Sequence, residues 1–169
     1  VDLSPRRRME ASLQASHDQF ERLFRIAPIG VFQSSPAGRF RFVNPAIAQI
    51  LGYDSPEDMV ATLTDLRSEL YVDPADRDRL LGQLAREGFV TGLETRFYRK
   101  DRTVKWISQA ARMVRGPSGE LLYIEGLNID ITARKKAEEA YNDILERYRS
   151  IVTGSIDGVM LCDGSGAIL

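Results

Sequence analysis

Between Phe89 and Ile131 the chain offers three long strand candidates with almost nothing between them. Phe89 to Lys100 and Thr103 to Arg115 are separated only by Asp101-Arg102, and Glu120 to Ile131 follows the turn Gly116-Pro117-Ser118-Gly119. Parallel neighbours need a crossover of about a dozen residues or more, usually a helix, and there is no room for one. These strands must therefore pair antiparallel. Upstream, Gly30 to Ser34 and Arg39 to Val43 flank Ser35-Pro36-Ala37-Gly38 and read as a hairpin.

The stretch between the two strand groups breaks into short helices, each with its own start signal. Asn44-Pro45 opens a helix over Ala46 to Leu51 that Gly52 stops. Ser55-Pro56 opens a second, with Glu57 and Asp58 in its first turn, and Asp73-Pro74 opens a third that runs through Leu80, Leu81 and Leu84 to Gly88. Two strands, several short helices and three strands define an α+β fold, a five-stranded antiparallel sheet with short helices on one face. Amphipathic helices flank it. Met9, Leu13, Phe20, Leu23 and Phe24 share one face of an N-terminal helix. Ala133, Ala137, Ala140, Ile144, Tyr148 and Ile151 form a heptad-like seam in a second helix, from Thr132 to about Thr153.

Composition removes several function classes. The 169 residues carry 23 Lys plus Arg against 24 Asp plus Glu, a formal net charge of −1, which gives no basic surface for nucleic acid. No apolar run approaches the roughly 18–20 residues of a membrane span, so no membrane insertion is expected in this segment. A single cysteine and a single histidine exclude a disulfide framework and leave little for a His-based metal site, counts that fit a cytoplasmic protein. His17 lies on the N-terminal helix. Asp73, Asp76 and Asp78 are spaced like the start of a calcium loop but lack its central glycine and terminal glutamate, and Asp73-Pro74 already explains itself as a helix start, so no metal is expected. No phosphate-binding glycine loop, nucleophile elbow or Cys/His constellation occurs, and no catalytic residue is assigned.

A shift of 128 residues aligns Phe20 to Phe32 with Tyr148 to Met160 without a gap, pairing Gly30 with Gly158, Val31 with Val159 and, further on, Gly38 with Gly166. The repeating unit is thus about 128 residues, and a second copy starts near Tyr148. The expected organisation is an N-terminal helix over 1–19, one complete domain over 20–132, a linker helix over 133–150 and the truncated start of another domain over 148–169. The chain lacks an initiator Met and ends as a strand begins, so it reads as a piece of something longer. Its last twenty or so residues are expected to lack a core of their own.

Phe20 to Gly30, Phe42-Val43-Asn44-Pro45-Ala46 running to Leu51-Gly52-Tyr53, Tyr71 to Arg77, Glu94-Thr95-Arg96 through Arg99-Lys100-Asp101, Trp106, and Asp130-Ile131-Thr132 stand in the order and spacing of one family's motifs. In these residues the chain resembles the PAS (Per-Arnt-Sim) sensor family, with Arg102 where glycine is usual. The resemblance covers about 20–132 and begins again at 148–169. It implies a non-catalytic sensory or regulatory domain of a multi-domain bacterial receptor. The downstream output would be a histidine kinase or a diguanylate cyclase, with Asp130, Thr132, Glu94 and Arg96 as relay residues between sheet and linker helix. It also implies a homodimer through the amphipathic helices. The alternative is a ligand-free dimerisation or protein-interaction module.

Haem-binding relatives take a pocket histidine, and flavin-binding light–oxygen–voltage relatives take a cysteine within an "N-C-R-F" motif. Neither is present in 20–132, and Cys162 lies in the second copy, so neither cofactor is expected. An unidentified small organic ligand remains the candidate input. Strict alternation puts Phe40 and Phe42 on one sheet face, and groups Leu93/Thr95/Phe97, Val104/Trp106/Ser108/Ala110 and Leu122/Ile124/Gly126/Asn128 by face without saying which set points inward. The candidate pocket is Phe42, Ile50, Leu66, Leu84, Phe97, Trp106, Ser108, Ala110, Ile124 and Gly126, with Ser108, Ala110 and Gly126 leaving space. The other reading is that these residues simply fill a core.

Overall fold

Three cap-and-proline steps set the middle of the molecule. A computed structural model describes residues 4–154 of the chain. In it Asn44, Ser55 and Asp73 are N-caps, each accepting a backbone N–H of the first turn, ahead of α2 (Pro45–Leu51), α3 (Pro56–Thr62) and α4 (Pro74–Glu87). Proline at the first helical position costs nothing because its missing N–H has no partner there anyway. Gly52 and Gly88 end α2 and α4 in the left-handed conformation that L side chains disfavour. Between α3 and α4 lies a five-residue π turn, Leu66–Leu70, that periodicity does not reveal.

The strands are β1 (Gly30–Ser34), β2 (Phe40–Val43), β3 (Phe89–Tyr98), β4 (Val104–Arg115) and β5 (Leu121–Asp130). They form one antiparallel sheet in the order β2-β1-β5-β4-β3, so the last strand inserts between the first hairpin and the second. The β3–β4 connection is a three-residue loop closed by the Arg99 and Thr103 pair, with Arg102 at φ 66°. That is where the resemblance expects glycine. The Arg102 guanidinium lies 3.8 Å from the centroid of the Tyr98 ring.

Helices cover one face of the sheet. Ile47, Leu51, Met59, Leu66, Leu70, Leu80 and Leu84 pack with Phe32, Phe40, Val90, Phe97, Ile107 and Ile124 into a single buried cluster, each such side chain stabilising by roughly 1.5–3 kcal/mol. The α1 helix (Ser4–Ile26) joins this unit at its C-terminal end, where the Phe24 ring meets Phe42 edge-on at 5.6 Å and the Phe24 carbonyl accepts from Asn44 Nδ2 at 3.1 Å. Its residues Met9, Leu13, Phe20 and Leu23 stay exposed.

The chain divides into two units, one ending at Ile131 and one beginning at Thr132. Helix α5 (Thr132–Gly154) is a single helix with Tyr141, Ile144, Tyr148 and Ile151 exposed. The first residues of the two aligned segments, Phe20–Ile26 and 148–154, are both helical. The remainder of the second copy, with Cys162, lies outside the described residues.

Candidate functional site: a polar nook inside the sheet

Alternation along a strand decides which side chains can reach the interior, and here the inner set is partly polar. Thr95, Gln109 and Asn128 are all buried on the helix-covered face of β3, β4 and β5. Gln109 pairs in register with Asn128, and the two are joined by a bond from Gln109 Nε2 to Asn128 Oδ1 at 3.3 Å. Gln109 Oε1 accepts from Thr95 Oγ1 at 3.2 Å and from the Tyr71 hydroxyl at 3.1 Å. Buried polar groups must satisfy one another because water cannot reach them.

Tyr71 follows the π turn and packs edge-on against Phe97 at 4.8 Å. Burial pushes its phenol well above the ordinary range, against the opposing charge of Arg77, so the hydroxyl is neutral and keeps its proton. Arg77, on the first full turn of α4, is 3% exposed, and its Nη2 has no hydrogen-bond partner. Tyr71, Arg77, Gln109 and Asn128 line a cavity of about 10 Å³ whose apolar walls include Leu66 and Phe97. Ser34 Oγ, on the same sheet face, is likewise buried and unpartnered.

The ten residues proposed from sequence divide into three groups. Leu66 and Phe97 line this cavity. Leu84 and Ile124 are buried core residues, and Ile50 is half-buried on α2 with its carbonyl accepting from Arg99 Nε. Gly126 is on the inner face but leaves no space, because a Cβ there would meet the Ala110 carbonyl oxygen and stand 2.9 Å from the Phe32 ring.

Phe42, Trp106, Ser108 and Ala110 are corrections: they stand on the outer face. For the last three the register settles it, since Trp106 pairs with Arg96, Ser108 with Glu94 and Ala110 with Leu127, while Ile107, Gln109 and Ala111 are the buried positions of β4. For Phe42 the cause is a bulge. Val43 pairs with Phe32, Phe42 with Gln33 and Phe40 with Ser34, so Arg41 is an extra residue and Phe40 and Phe42 point to opposite faces. Phe42, Ala110, Val31 and Leu127 instead line an open apolar groove next to Phe20.

The relay residues occupy two places. Asp130, at the end of β5, pairs with Lys105 Nζ at 2.8 Å, while Ile131 N donates to the Trp106 carbonyl at 2.9 Å and Thr132 is the first residue of α5. Glu94 and Arg96 are on the outer face, where the Arg96 guanidinium lies 5.8 Å from the Trp106 ring centroid. His17 is exposed beside Glu21. The three aspartates of the calcium-like spacing have separate partners: Asp73 accepts from Ala75 N, Asp76 pairs with Arg79 and Asp78 with Arg67.

The chain thus forms a five-stranded antiparallel sheet with its helices and its polar interior on one face. The family model described as PAS fold matches residues 18–131, and the chain belongs to that family. Among curated proteins it is 29% identical to the methyl sulfide methyltransferase-associated sensor of Methanosarcina acetivorans, over 95% of this chain and 17% of that protein. It is 26% identical to the probable diguanylate cyclase DgcE of Escherichia coli, over 80% of this chain and 12% of that protein. The chain thus spans less than a fifth of the curated relatives it matches. Among solved structures, a sensory box histidine kinase/response regulator from Burkholderia thailandensis superposes with a TM-score of 0.55 at 24% identity, covering 78% of this chain and 98% of that one. Among the described residues no helix is long and apolar enough to cross a membrane.

Proposed function

We propose that residues 20–132 sense a small molecule in the interior nook and pass its occupancy to the linker helix, which leads to a downstream output domain. The observation that carries this reading is the position of Asn128. It belongs to the buried network, yet it lies two residues before Asp130, whose ion pair with Lys105 fixes the end of β5. Side chains at alternate positions share a sheet face, so a shift of Asn128 is felt at Asp130 through a short, stiff piece of extended chain. Thr132 then begins α5. A ligand moves this equilibrium only by binding one of its two arrangements better than the other.

The names of the relatives support an output of the histidine kinase or diguanylate cyclase kind, and we favour a histidine kinase in a cytoplasmic two-component receptor. The testing experiment replaces Asp130 by Ala, and separately Lys105 by Ala, in the whole parent receptor. Output in the stimulated and unstimulated states is expected to become equal, with circular dichroism and Tm of the domain little changed. A receptor carrying Asp130→Ala that still responds normally overturns the relay.

A second reading, a dimerisation spacer, is favoured by the exposed apolar residues of both helices. Met9, Leu13 and Leu23 on α1, and Tyr141, Ile144, Tyr148 and Ile151 on α5, are each more than half exposed, a pattern that pairing between two copies relieves. Deleting residues 1–19, or replacing Ile144 and Ile151 by Ser, is expected to shift the chain toward monomer in light scattering. An unchanged mass removes that helix as a dimer surface.

A further inference from the structure

The interior nook is bordered by a buried charge with an unpartnered nitrogen. Arg77 is buried to within 3% of its surface, and among the described residues no carboxylate lies within ion-pair distance of it. Its neighbour Asp76, also buried, is committed to Arg79. A buried cation without a counter-ion is expensive to keep, and several kcal/mol of desolvation are recovered only by an anion and matching hydrogen bonds. The unpartnered Nη2 of Arg77 borders a cavity that also presents the Tyr71 hydroxyl and the Gln109 and Asn128 amides. Its volume, about 10 Å³, admits one oxygen-sized atom. The other walls are Phe32, Phe40, Leu66, Leu70 and Phe97, which are apolar.

One cationic donor, further polar hydrogens and hydrocarbon walls match a group with a single negative charge on oxygen and a small apolar body. Resting on the sensory reading above, we propose that the nook binds a short-chain monocarboxylate, formate to propionate in size. One carboxylate oxygen accepts from Arg77 Nη2 and from the Tyr71 hydroxyl, whose proton turns away from Gln109 Oε1 while its oxygen accepts from Gln109 Nε2 at 3.1 Å, and the carbon body is accommodated by outward movement of Leu66 and Leu70. Those two residues belong to the π turn, a short element whose hydrogen-bond pattern is less regular than the helices around it. Phosphate and sulfate carry too much charge and too many oxygens for this space. Chloride matches the charge but leaves the apolar walls unused.

The test follows the side-chain amide signals of Gln109 and Asn128 by nuclear magnetic resonance in the 169-residue chain. Sodium formate, acetate and propionate are titrated at constant ionic strength beside sodium chloride and neutral acetamide. The proposal expects saturable shifts with the carboxylates only. In Arg77→Met acetate is expected to bind about tenfold or more weakly, the range of a lost charge-assisted hydrogen bond. Tyr71→Phe, which keeps the ring packed against Phe97, is expected to weaken acetate several-fold with the fold intact, and it serves as the deciding variant if Arg77→Met does not fold. Saturation by acetamide as well as by acetate overturns the anion class but leaves an interior sensing site. Equal saturation by chloride overturns the carboxylate. Shifts that never saturate, or acetate affinity unchanged in Tyr71→Phe and Arg77→Met, overturn the proposal. The relay reading then still stands or falls on Asp130→Ala in the receptor.

Discussion

Ser108 and Gln109 are neighbours in β4 and face opposite environments. Ser108 looks outward beside Glu94 and Ile129, and Gln109 looks inward to Tyr71, Thr95 and Asn128. The outer face of the sheet holds Phe42, Trp106, Ala110 and Leu127 among charged residues, whereas the inner face holds Thr95, Gln109 and Asn128 among aliphatic ones. Judged by residue type alone, the outer face of β4 is at least as apolar as the inner one. What separates them is constraint: an inner polar group must find a partner in the protein, while an outer one can turn to water. A polar residue on the buried face is therefore a stronger indication of a specific site than an aromatic on the open one.

Paired substitutions across the two faces can break or sharpen this contrast. Phe97→Ala, at a 1% exposed position against Tyr71, is expected to cost about 3–5 kcal/mol of unfolding free energy. Phe42→Ala, at 39% exposure on the outer face, is expected to cost less than about half of that. Equal losses in denaturant titrations would mean that both faces act as core.

Next in size is Gln109→Leu, which leaves the Tyr71 hydroxyl, Thr95 and Asn128 short of partners and is expected to destabilise by about 1–3 kcal/mol. Ser108→Ala next door should stay within about 0.5 kcal/mol of the parent. A stabilised Gln109→Leu protein would show that the network contributes nothing to the fold. Gly126→Ala tests how tightly the inner face is filled, and the clash with the Phe32 ring and the Ala110 carbonyl is expected to cost about 1–3 kcal/mol. A neutral result there would reveal slack that the packing does not show.

The smallest effect belongs to the surface. Asp58 is held below the ordinary carboxylate range chiefly by its hydrogen bond from Lys100, Asp78 by that from Arg67, and Asp65 and Asp101 by Ser68 and Thr103. A carboxylate whose pKa is lower folded than unfolded contributes stability above its unfolded value, and that contribution is lost as pH falls through the folded value. Tm is therefore expected to be flat near neutrality and to decline below about pH 5, by an amount that added salt reduces. A Tm that rises on acidification contradicts these pairs.

Much of the architecture is legible in the sequence because its punctuation is local. Asn44-Pro45, Ser55-Pro56, Asp73-Pro74, Gly52 and the turns at 101–102 and 116–119 each act within a few residues, and together they set the element order and the antiparallel sheet. The site is less legible for two reasons. Alternation gives the sets but not which set is buried, and the small side chains of Ser108 and Ala110, which suggest space for a ligand, stand on the outer face of β4. The bulge at Arg41 then breaks alternation where strict counting depends on it. Tyr71 and Arg77 fall within a recognised motif, but nothing local says that the π turn and α4 carry them into the interior beside Gln109. The available signal was Gln109 and Asn128, amides at alternating positions where an inward face would otherwise be aliphatic.

The strand order has a consequence for how the molecule is made. Among the described residues β5 is the last strand, yet it lies in the middle of the sheet, bonded to β1 on one side and β4 on the other. Until it is synthesised, the β1–β2 and β3–β4 hairpins have no common partner, and pairing β1 with β5 closes a loop containing almost the whole domain. A nascent chain released before Leu121 holds two separate hairpins with open edges, exposed to pairing with other chains. Completing this domain and reaching its outgoing helix are therefore consecutive events in synthesis, so α5 emerges only after the last strand has been made.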